Sequence, residues 1–352
     1  MGAEVGIRRF RRSDEKDALD LLLGKFPASE RESSYPGRLA RWRWQYYANP
    51  ANPDGEPLIW VAEVDGAFGG MVATIPVRVR TPQGPMLGMW GVDFIVSGRM
   101  RGLGIGKQLL LEWIRTPGIA FVMGWSPVSF QVAKGVGFEV MWGFTTADVI
   151  LSRSTYAREL IDQRQRVALR KMVKVVLRLN PRHPGRNVEA RVEQALPPGT
   201  GRLWERVREA YAFAVERDQV YLKWRFDDHP AYEYRYVCIG DGAEPAAVGI
   251  CRLAGKKPSL GVVADLLVDP GDPALAADLV DAVIGFLKSQ GAYAARLDLP
   301  PALAPGVLAR YGCTLTNDRG MIVRTDDPNL GPCGILTASN WYISRSDADE
   351  DY

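Results

Sequence analysis

An octapeptide of this chain recurs 180 positions later. Arg43-Trp44-Gln45-Tyr46-Tyr47-Ala48-Asn49-Pro50 returns as Lys223-Trp224-Arg225-Phe226-Asp227-Asp228-His229-Pro230. Each copy stands ahead of two apolar runs that read as strands. Two looser echoes follow in the same order. Val92-Asp93-Phe94-Ile95-Val96 is answered by Ala264-Asp265-Leu266-Leu267-Val268, each before a helix. Ala133-Lys134-Gly135-Val136-Gly137-Phe138 is answered by Ala309-Arg310-Tyr311-Gly312-Cys313. Three echoes in one order point to two copies of a single fold, and 352 residues leave room for both. The competing reading is two ordinary α/β segments that share a Trp and a Pro.

The first copy reads as a strand over 5–10, then a helix capped by Ser13-Asp14 with Ala18, Leu19, Leu22 and Leu23 on its apolar face. Strands follow at 58–64 and 68–80, joined by the tight-turn pair Asp65-Gly66. Next come a strand at 89–96, a helix at 104–115, a buried strand at 118–124, a short helix, and a last strand to about 151. The expected fold class is therefore α/β, of the α+β type, with a mixed sheet and helices on its faces. Between the copies, residues 153–191 carry eleven basic side chains and three acidic ones. Pro181, Pro184 and Pro197-Pro198 interrupt the segment, which reads as a basic helix followed by a linker. The expected organisation is a first domain over 1–152, the basic helix and linker over 153–196, and a second domain over 197–352. On the basic helix, Arg166, Arg170, Lys174 and Arg178 form a cationic stripe beside an apolar face of Leu169, Met172, Val173, Val176 and Leu177. Two readings stand: a strut packed on one domain, or a weak contact with an anionic membrane surface.

Composition narrows the function classes. Hydrophobic residues make up 47% of the chain, enough for a real core, and 44 basic against 41 acidic side chains give no electrostatic case for nucleic acid. His183 and His229 are the two histidines, which argues against a His-based zinc site. Cys238, Cys251, Cys313 and Cys333 show no C-x-x-C spacing and read as reduced, buried thiols of a cytoplasmic protein. Residues 1–10 have no apolar stretch of the secretory kind, and no run approaches a membrane span.

One segment carries explicit chemistry. In Arg99-Met100-Arg101-Gly102-Leu103-Gly104-Ile105-Gly106-Lys107-Gln108, three glycines and three cations follow a strand and open an amphipathic helix. Glycines let backbone N–H groups converge on one point. The helix N-terminus adds unpaired donors and partial positive charge, so the turn suits a diphosphate. The spacing is G-x-G-x-G, with Lys107 where a dinucleotide fingerprint needs its third glycine, and Gln108 breaks the Walker pattern. Nicotinamide dinucleotides and nucleoside triphosphates are disfavoured.

These residues resemble the acyl-CoA pyrophosphate signature of the GNAT superfamily of N-acyltransferases, Arg/Gln-x-x-Gly-x-Gly/Ala, through Arg101, Gly104 and Gly106. The segment Ala133–Phe138 is similar to that family's helix ending in a Gly-Phe pair. The resemblance covers about 5–151 well. In the second copy the matching turn reads Asp269-Pro270-Gly271-Asp272-Pro273, where acids repel a diphosphate and prolines remove donors; that copy reads as degenerate, without CoA of its own. The aromatic repeats ending in Asn-Pro are also similar to GNAT-like proteins associated with bacterial exopolysaccharide synthesis.

The resemblance implies acetyl-CoA, or another short acyl-CoA, as co-substrate, with no metal. CoA would lie in a V-shaped gap between the strands at 89–96 and 118–124. Backbone groups of Ile95 and Val96 would pair with the pantetheine, and Gly102, Leu103, Ile105 and Lys107 would join Arg101, Gly104 and Gly106 around the diphosphate. The family often keeps a carboxylate base on the first of these strands, which implies Asp93. The tyrosine that often protonates the leaving thiolate has Ala133 in its place, leaving Ser126, Ser129 or water. Trp90, Trp125 and Trp142 are candidates for the acceptor pocket or for sheet core. The resulting expectation is an N-acyltransferase acting on an amine, an amino sugar among the candidates. The alternatives are a non-catalytic acyl-CoA-binding regulatory or scaffold protein, and aminoacyl transfer to cell-wall precursors, which needs no CoA loop.

Overall fold

The computed structural model describes residues 4–24, 34–100, 102–164, 189–241, 243–255, 259–311 and 314–347. The first half runs β1 (Val5–Arg9), α1 (Glu15–Leu23), α2 (Tyr35–Trp42), β2 (Ile59–Val64), β3 (Ala67–Arg80), β4 (Met86–Val96), α3 (Ile105–Trp113), β5 (Ile119–Met123), α4 (Pro127–Lys134) and β6 (Glu139–Ile150). Helix α5 (Arg153–Arg164) follows. The second half runs β7 (Arg191–Glu193), α6 (Thr200–Val207), β8 (Phe213–Val215), α7 (Gln219–Leu222), β9 (Arg235–Gly240), β10 (Pro245–Ala254), β11 (Ser259–Leu267), α8 (Pro273–Ser289), β12 (Ala292–Leu299), α9 (Ala304–Tyr311), β13 (Thr314–Thr325) and β14 (Trp341–Tyr342). From β2 to β6, and again from β9 to β13, the order of strands and helices is the same. The cationic stripe at 166–178 lies outside the described residues, as does Cys313. Among the described residues no helix is long and apolar enough to cross a membrane.

Each octapeptide forms the same local structure. Tyr35–Trp42 and Gln219–Leu222 are α-helical, and each widens into a π-helical turn closed by an i→i+5 bond. Ala48 N–H donates to Arg43 C=O at 2.9 Å, and Asp228 N–H to Lys223 C=O at 3.0 Å. The residue before the closing proline then caps the turn. Asn49 Oδ1 accepts from Ala51 N–H at 2.8 Å, and His229 Nδ1 accepts from Ala231 N–H at 3.1 Å. The Asn-to-His difference between the copies is tolerated because both side chains offer one acceptor at the same reach.

The two turns face each other. Trp44 Nε1 donates to Trp224 C=O at 2.7 Å, and Trp224 Nε1 donates to Trp44 C=O at 3.0 Å. Their rings stack with centroids 5.1 Å apart, and both are buried. This pair sits in a core shared by both halves, with Trp42, Tyr46, Trp90 and Phe121 from one and Trp204, Phe213, Tyr236 and Trp341 from the other. A second core lies under α8, and a third under α3 and α4. Cys238 and Cys251 are buried in strands of the second half, and burial pushes their thiols up to about 11 and about 12, so both are poor nucleophiles at neutral pH.

The sheets of the two halves are fused, with strand order β1-β2-β3-β4-β5-β13-β6-β12-β11-β10-β9-β7. The last strand of each half is exchanged. β13 pairs antiparallel with β5, Met321 opposite Met123, while β6 pairs antiparallel with β12, Ala294 opposite Ile150. β13 and β6 then pair with each other across the centre. Residues 139–150, expected to complete the first sheet, thus find both ladder partners in the second half. The reason is pairing geometry: β4 and β5 are parallel, as are β11 and β12, and each β5-type edge is open to any antiparallel strand of suitable pattern. The exchange satisfies both edges and makes the halves one cooperative unit.

Replacing either tryptophan by Phe removes one donor and leaves a buried carbonyl short of a partner, which costs about 1–3 kcal/mol. Trp44→Phe and Trp224→Phe are expected to lower the denaturant midpoint by similar amounts. The double variant should fall short of the sum, because the rings share one stack. Strictly additive losses would show that the two indoles act independently.

Candidate active site

β4 and β5 pair in parallel at Gly88–Trp90 with Ile119–Phe121 and then part. Beyond that point lies a cavity of about 420 Å³, lined by Gly91 to Phe94 from β4, Val122 to Trp125 from the end of β5, Ser126, Ser129 and Ala133 from α4, Leu110 and Trp113 from α3, Val72 from β3, Arg38 from α2, Phe138, and Ile322 from β13. The gap expected between 89–96 and 118–124 is present. Its far wall, however, is supplied by the exchanged strand.

Asp93 owes its position to a bulge. Met71 opposes Ile95 and Ala73 opposes Val92, so Asp93 and Phe94 together face Val72 alone. The extra residue puts Asp93 at φ 46, in the left-handed region, which Asp tolerates better than most side chains. Bulges re-aim side chains in this way, and here the carboxylate is turned to the cavity. Tyr46 Oη donates to Asp93 Oδ2 at 2.6 Å, and Arg38, Arg41 and Gln45 surround a small adjoining space. Tyr46 belongs to the repeated octapeptide. Its contact with Asp93 spans 47 residues and was not foreseen from sequence, although the hydroxyl is missing from its counterpart Phe226.

The glycine-rich turn enters α3 as expected. Gly102 and Gly104 have φ 89 and 73, and Gly104 is the N-cap. The first intrahelical bond runs from Gln108 N–H to Gly104 C=O, so the N–H groups of Ile105, Gly106 and Lys107 precede it and point out of the helix end. Gly102, Leu103, Gly104 and Lys107 are exposed, whereas Ile105 is buried as the anchor. Gly106 packs closely, because a Cβ there would stand 3.1 Å from the ring of Phe94. Arg101 lies outside the described residues. Ile95 and Val96 sit past the bulge, opposite Met71 and Gly70 of β3, and the cavity wall itself is Gly91 to Phe94.

Ser126 and Ser129 reach the cavity but cap α4 reciprocally. Ser129 N–H donates to Ser126 Oγ at 3.1 Å, and Ser126 N–H donates to Ser129 Oγ at 2.9 Å. Of the three candidate tryptophans, Trp90 is core, packed on Phe121. Trp125 lines the cavity, and Trp142 stands at 58% exposure, edge-on to Trp125. No cluster of metal-ligating side chains occurs among the described residues.

The matching gap of the second half is filled by the chain itself. β11 and β12 pair in parallel to Val263 opposite Leu297, and the segment after β14 then runs between them. Ser346 N–H donates to Ala264 C=O at 3.1 Å, and Arg345 Nη1 donates to Asp298 Oδ2 at 3.0 Å. Asp265, the echo of Asp93, accepts from Arg217 Nε, Tyr342 Oη and Ser346 Oγ. Arg217 also binds Asp347 at 2.6 Å. Burial works against a charged Arg217, but Asp265 and Asp347 outweigh it and hold the guanidinium well above its ordinary value. Asp272 caps α8 by accepting from Leu275 N–H at 2.9 Å, so the second helix entry is already satisfied by its own acid.

No family model and no curated protein matches this chain by sequence. By structure it is similar to a probable N-acyltransferase from Enterococcus faecalis, with a TM-score of 0.61 and 11% identity over 92% of this chain and 73% of that one. A GCN5-related N-acetyltransferase from Anabaena variabilis gives 0.60 and 11% over 91% and 72%. An N-myristoyltransferase from Saccharomyces cerevisiae with bound myristoyl-CoA gives 0.59 and 9% over 92% and 79%. The fold is that of the GNAT-type N-acyltransferases, and the shared part extends over both halves.

A side chain at Gly104 would meet open space, since a Cβ there has no neighbour within 4 Å. Gly104→Asp therefore costs the fold only its left-handed backbone penalty, about 1–2 kcal/mol, while placing a carboxylate at the helix entry. The variant is expected to fold and to lose CoA affinity at least tenfold. Wild type should titrate with one CoA per chain in calorimetry, the second gap being filled. Two sites, or an unchanged variant, would refute this.

Proposed function

We propose that this chain is an acyl-CoA-dependent N-acyltransferase whose site is the gap between β4 and β5. One observation carries the reading: two parallel strands part beside a glycine-rich helix entry, and the cavity they open holds a carboxylate on a bulge. The acceptor is an amine, with an amino sugar of polysaccharide synthesis as the favoured example, and the setting is cytoplasmic. In this reading residues 1–152 carry the donor site, and 197–352 form its structural partner across the 153–196 segment.

The residues divide the work. The N–H groups at the start of α3, with Arg99, Arg101 and Lys107, offset the charge of a diphosphate. The β5-facing edge of β4 offers backbone groups to the pantetheine as an added strand, and a β4 N–H polarises the thioester carbonyl. Asp93 takes a proton from the acceptor ammonium. The free amine then attacks the carbonyl carbon, the C–N bond forms, the C–S bond breaks, and the second proton shed by the nitrogen passes through water to the thiolate. A thiolate is a good leaving group, with an ordinary thiol value of about 8.5, so a proton from water suffices at Ala133. Tyr46 acts as a positioning residue that holds Asp93 through its hydroxyl.

The second reading, a non-catalytic acyl-CoA-binding protein, draws on Ala133 standing where the family's acid does. Turnover separates the two. Asn shares the tolerance of Asp for left-handed backbone, so Asp93→Asn removes the charge without disturbing the bulge. It should leave CoA affinity nearly intact, lower kcat by roughly 10²–10⁴-fold, and abolish the acidic limb of the kcat/KM profile. Tyr46→Phe should lower kcat about tenfold with little change in KM. An Asp93→Asn enzyme with normal turnover would return Asp93 to a structural role. Binding of CoA with no turnover on any amine would favour the second reading.

A further inference from the structure

The cavity is lined by four polar side chains and a larger apolar set. Arg38, Asp93, Ser126 and Ser129 supply its polar groups. Val72, Leu110, Trp113, Ala133, Phe138 and Ile322 supply an apolar wall, and all six are buried members of the core under α3 and α4. Interiors are close-packed, with few voids larger than a water, so 420 Å³ opening into a core cluster is the size of a ligand pocket and not a packing flaw. Ala133 is part of the cause. A tyrosine at that position would fill the space with its ring, and alanine leaves it apolar and open. Ile322 closes the far side from β13.

Resting on the reading of this gap as the acyl-CoA site, we propose that the donor is a medium-chain acyl-CoA, with its aliphatic chain held against this wall beside Ala133. The cavity holds about fourteen groups of water size at ~30 Å³ each. With the thioester, the neighbouring cysteamine atoms and the acceptor amine in place, space remains for a chain of several carbons, where acetyl brings a single methyl. An acetyl group would leave most of the apolar wall without contacts.

The test is calorimetric titration of the full chain with CoA and with acetyl-, butyryl-, hexanoyl- and octanoyl-CoA, in the absence of acceptor. Affinity is expected to rise roughly fourfold per added methylene from acetyl to octanoyl, the increment of a buried methylene, with an increasingly negative heat-capacity change. Ala133→Phe should flatten this gradient by filling the space, and Ala133→Val should reduce it if the larger side chain does not fold. The gradient is the readout, so a variant that weakens CoA itself remains informative. A flat series, or a fall beyond butyryl, with CoA still bound overturns the chain-length proposal alone. A gradient unchanged in both variants places the chain elsewhere and overturns it too. Failure to bind CoA at all overturns the donor reading on which it rests.

Discussion

The reciprocal bonds between Trp44 and Trp224 are the constraint on which the rest of the molecule depends. Each indole donates to the backbone carbonyl of the other, an arrangement that requires two turns of the same shape related by a local two-fold axis. The repeat at 180 residues is legible because both turns must present a tryptophan at the same place. The π-helical widening serves this geometry, since a wider turn sets its carbonyls outward where a facing donor can reach them. A buried polar pair of this kind tolerates little change, because each missing donor leaves an acceptor stranded in a dry core.

The same turn joins that interface to the site. Trp44 faces the other half, and Tyr46, two residues on, reaches Asp93 on the bulge of β4. In the second half Phe226 has no hydroxyl to offer, and Asp265 is bonded instead by Arg217, Tyr342 and Ser346. Two copies of one scaffold have therefore diverged by what fills the gap between their parallel strands. One keeps a cavity with a carboxylate turned to it. The other binds its own C-terminal segment, and a buried arginine between two aspartates ties that segment down. Such a cluster is costly to break once formed, since removing the guanidinium would strand two carboxylates. It fixes the C-terminal segment across the second gap.

Exchange of the last strands adds a second coupling. Because β13 lies against β5, Ile322 from the second half closes the cavity of the first. The second half thus contributes a side chain to the lining of the cavity. The cores agree with this: the largest runs through both halves, and the cores under α8 and under α3 and α4 each take in residues of the exchanged strands, Ala147 and Val149 in the one and Ile322 in the other.

Much was readable in the sequence. Alternation and the Asp65-Gly66 pair located β2 and β3, and the glycines at 102, 104 and 106 located the entry to α3, since left-handed backbone and close packing leave few other residues possible. Asp93 and the gap were implied by the resemblance of the glycine-rich segment to the GNAT signature. These are properties of short segments, set by local sterics and side-chain period. Three features were not readable: the exchange of β6 and β13, the bond from Tyr46 to Asp93, and the filling of the second gap by Tyr342–Asp347. Each joins residues 47 or more positions apart, and a strand's pattern states which face is buried but not which edge will pair with it. The sequence by itself determined the elements, the repeat and the glycine-rich turn that enters α3. The tertiary structure alone decided what fills the second gap and whose side chains line the first, because that depends on which of several compatible edges and gaps each segment reached in space.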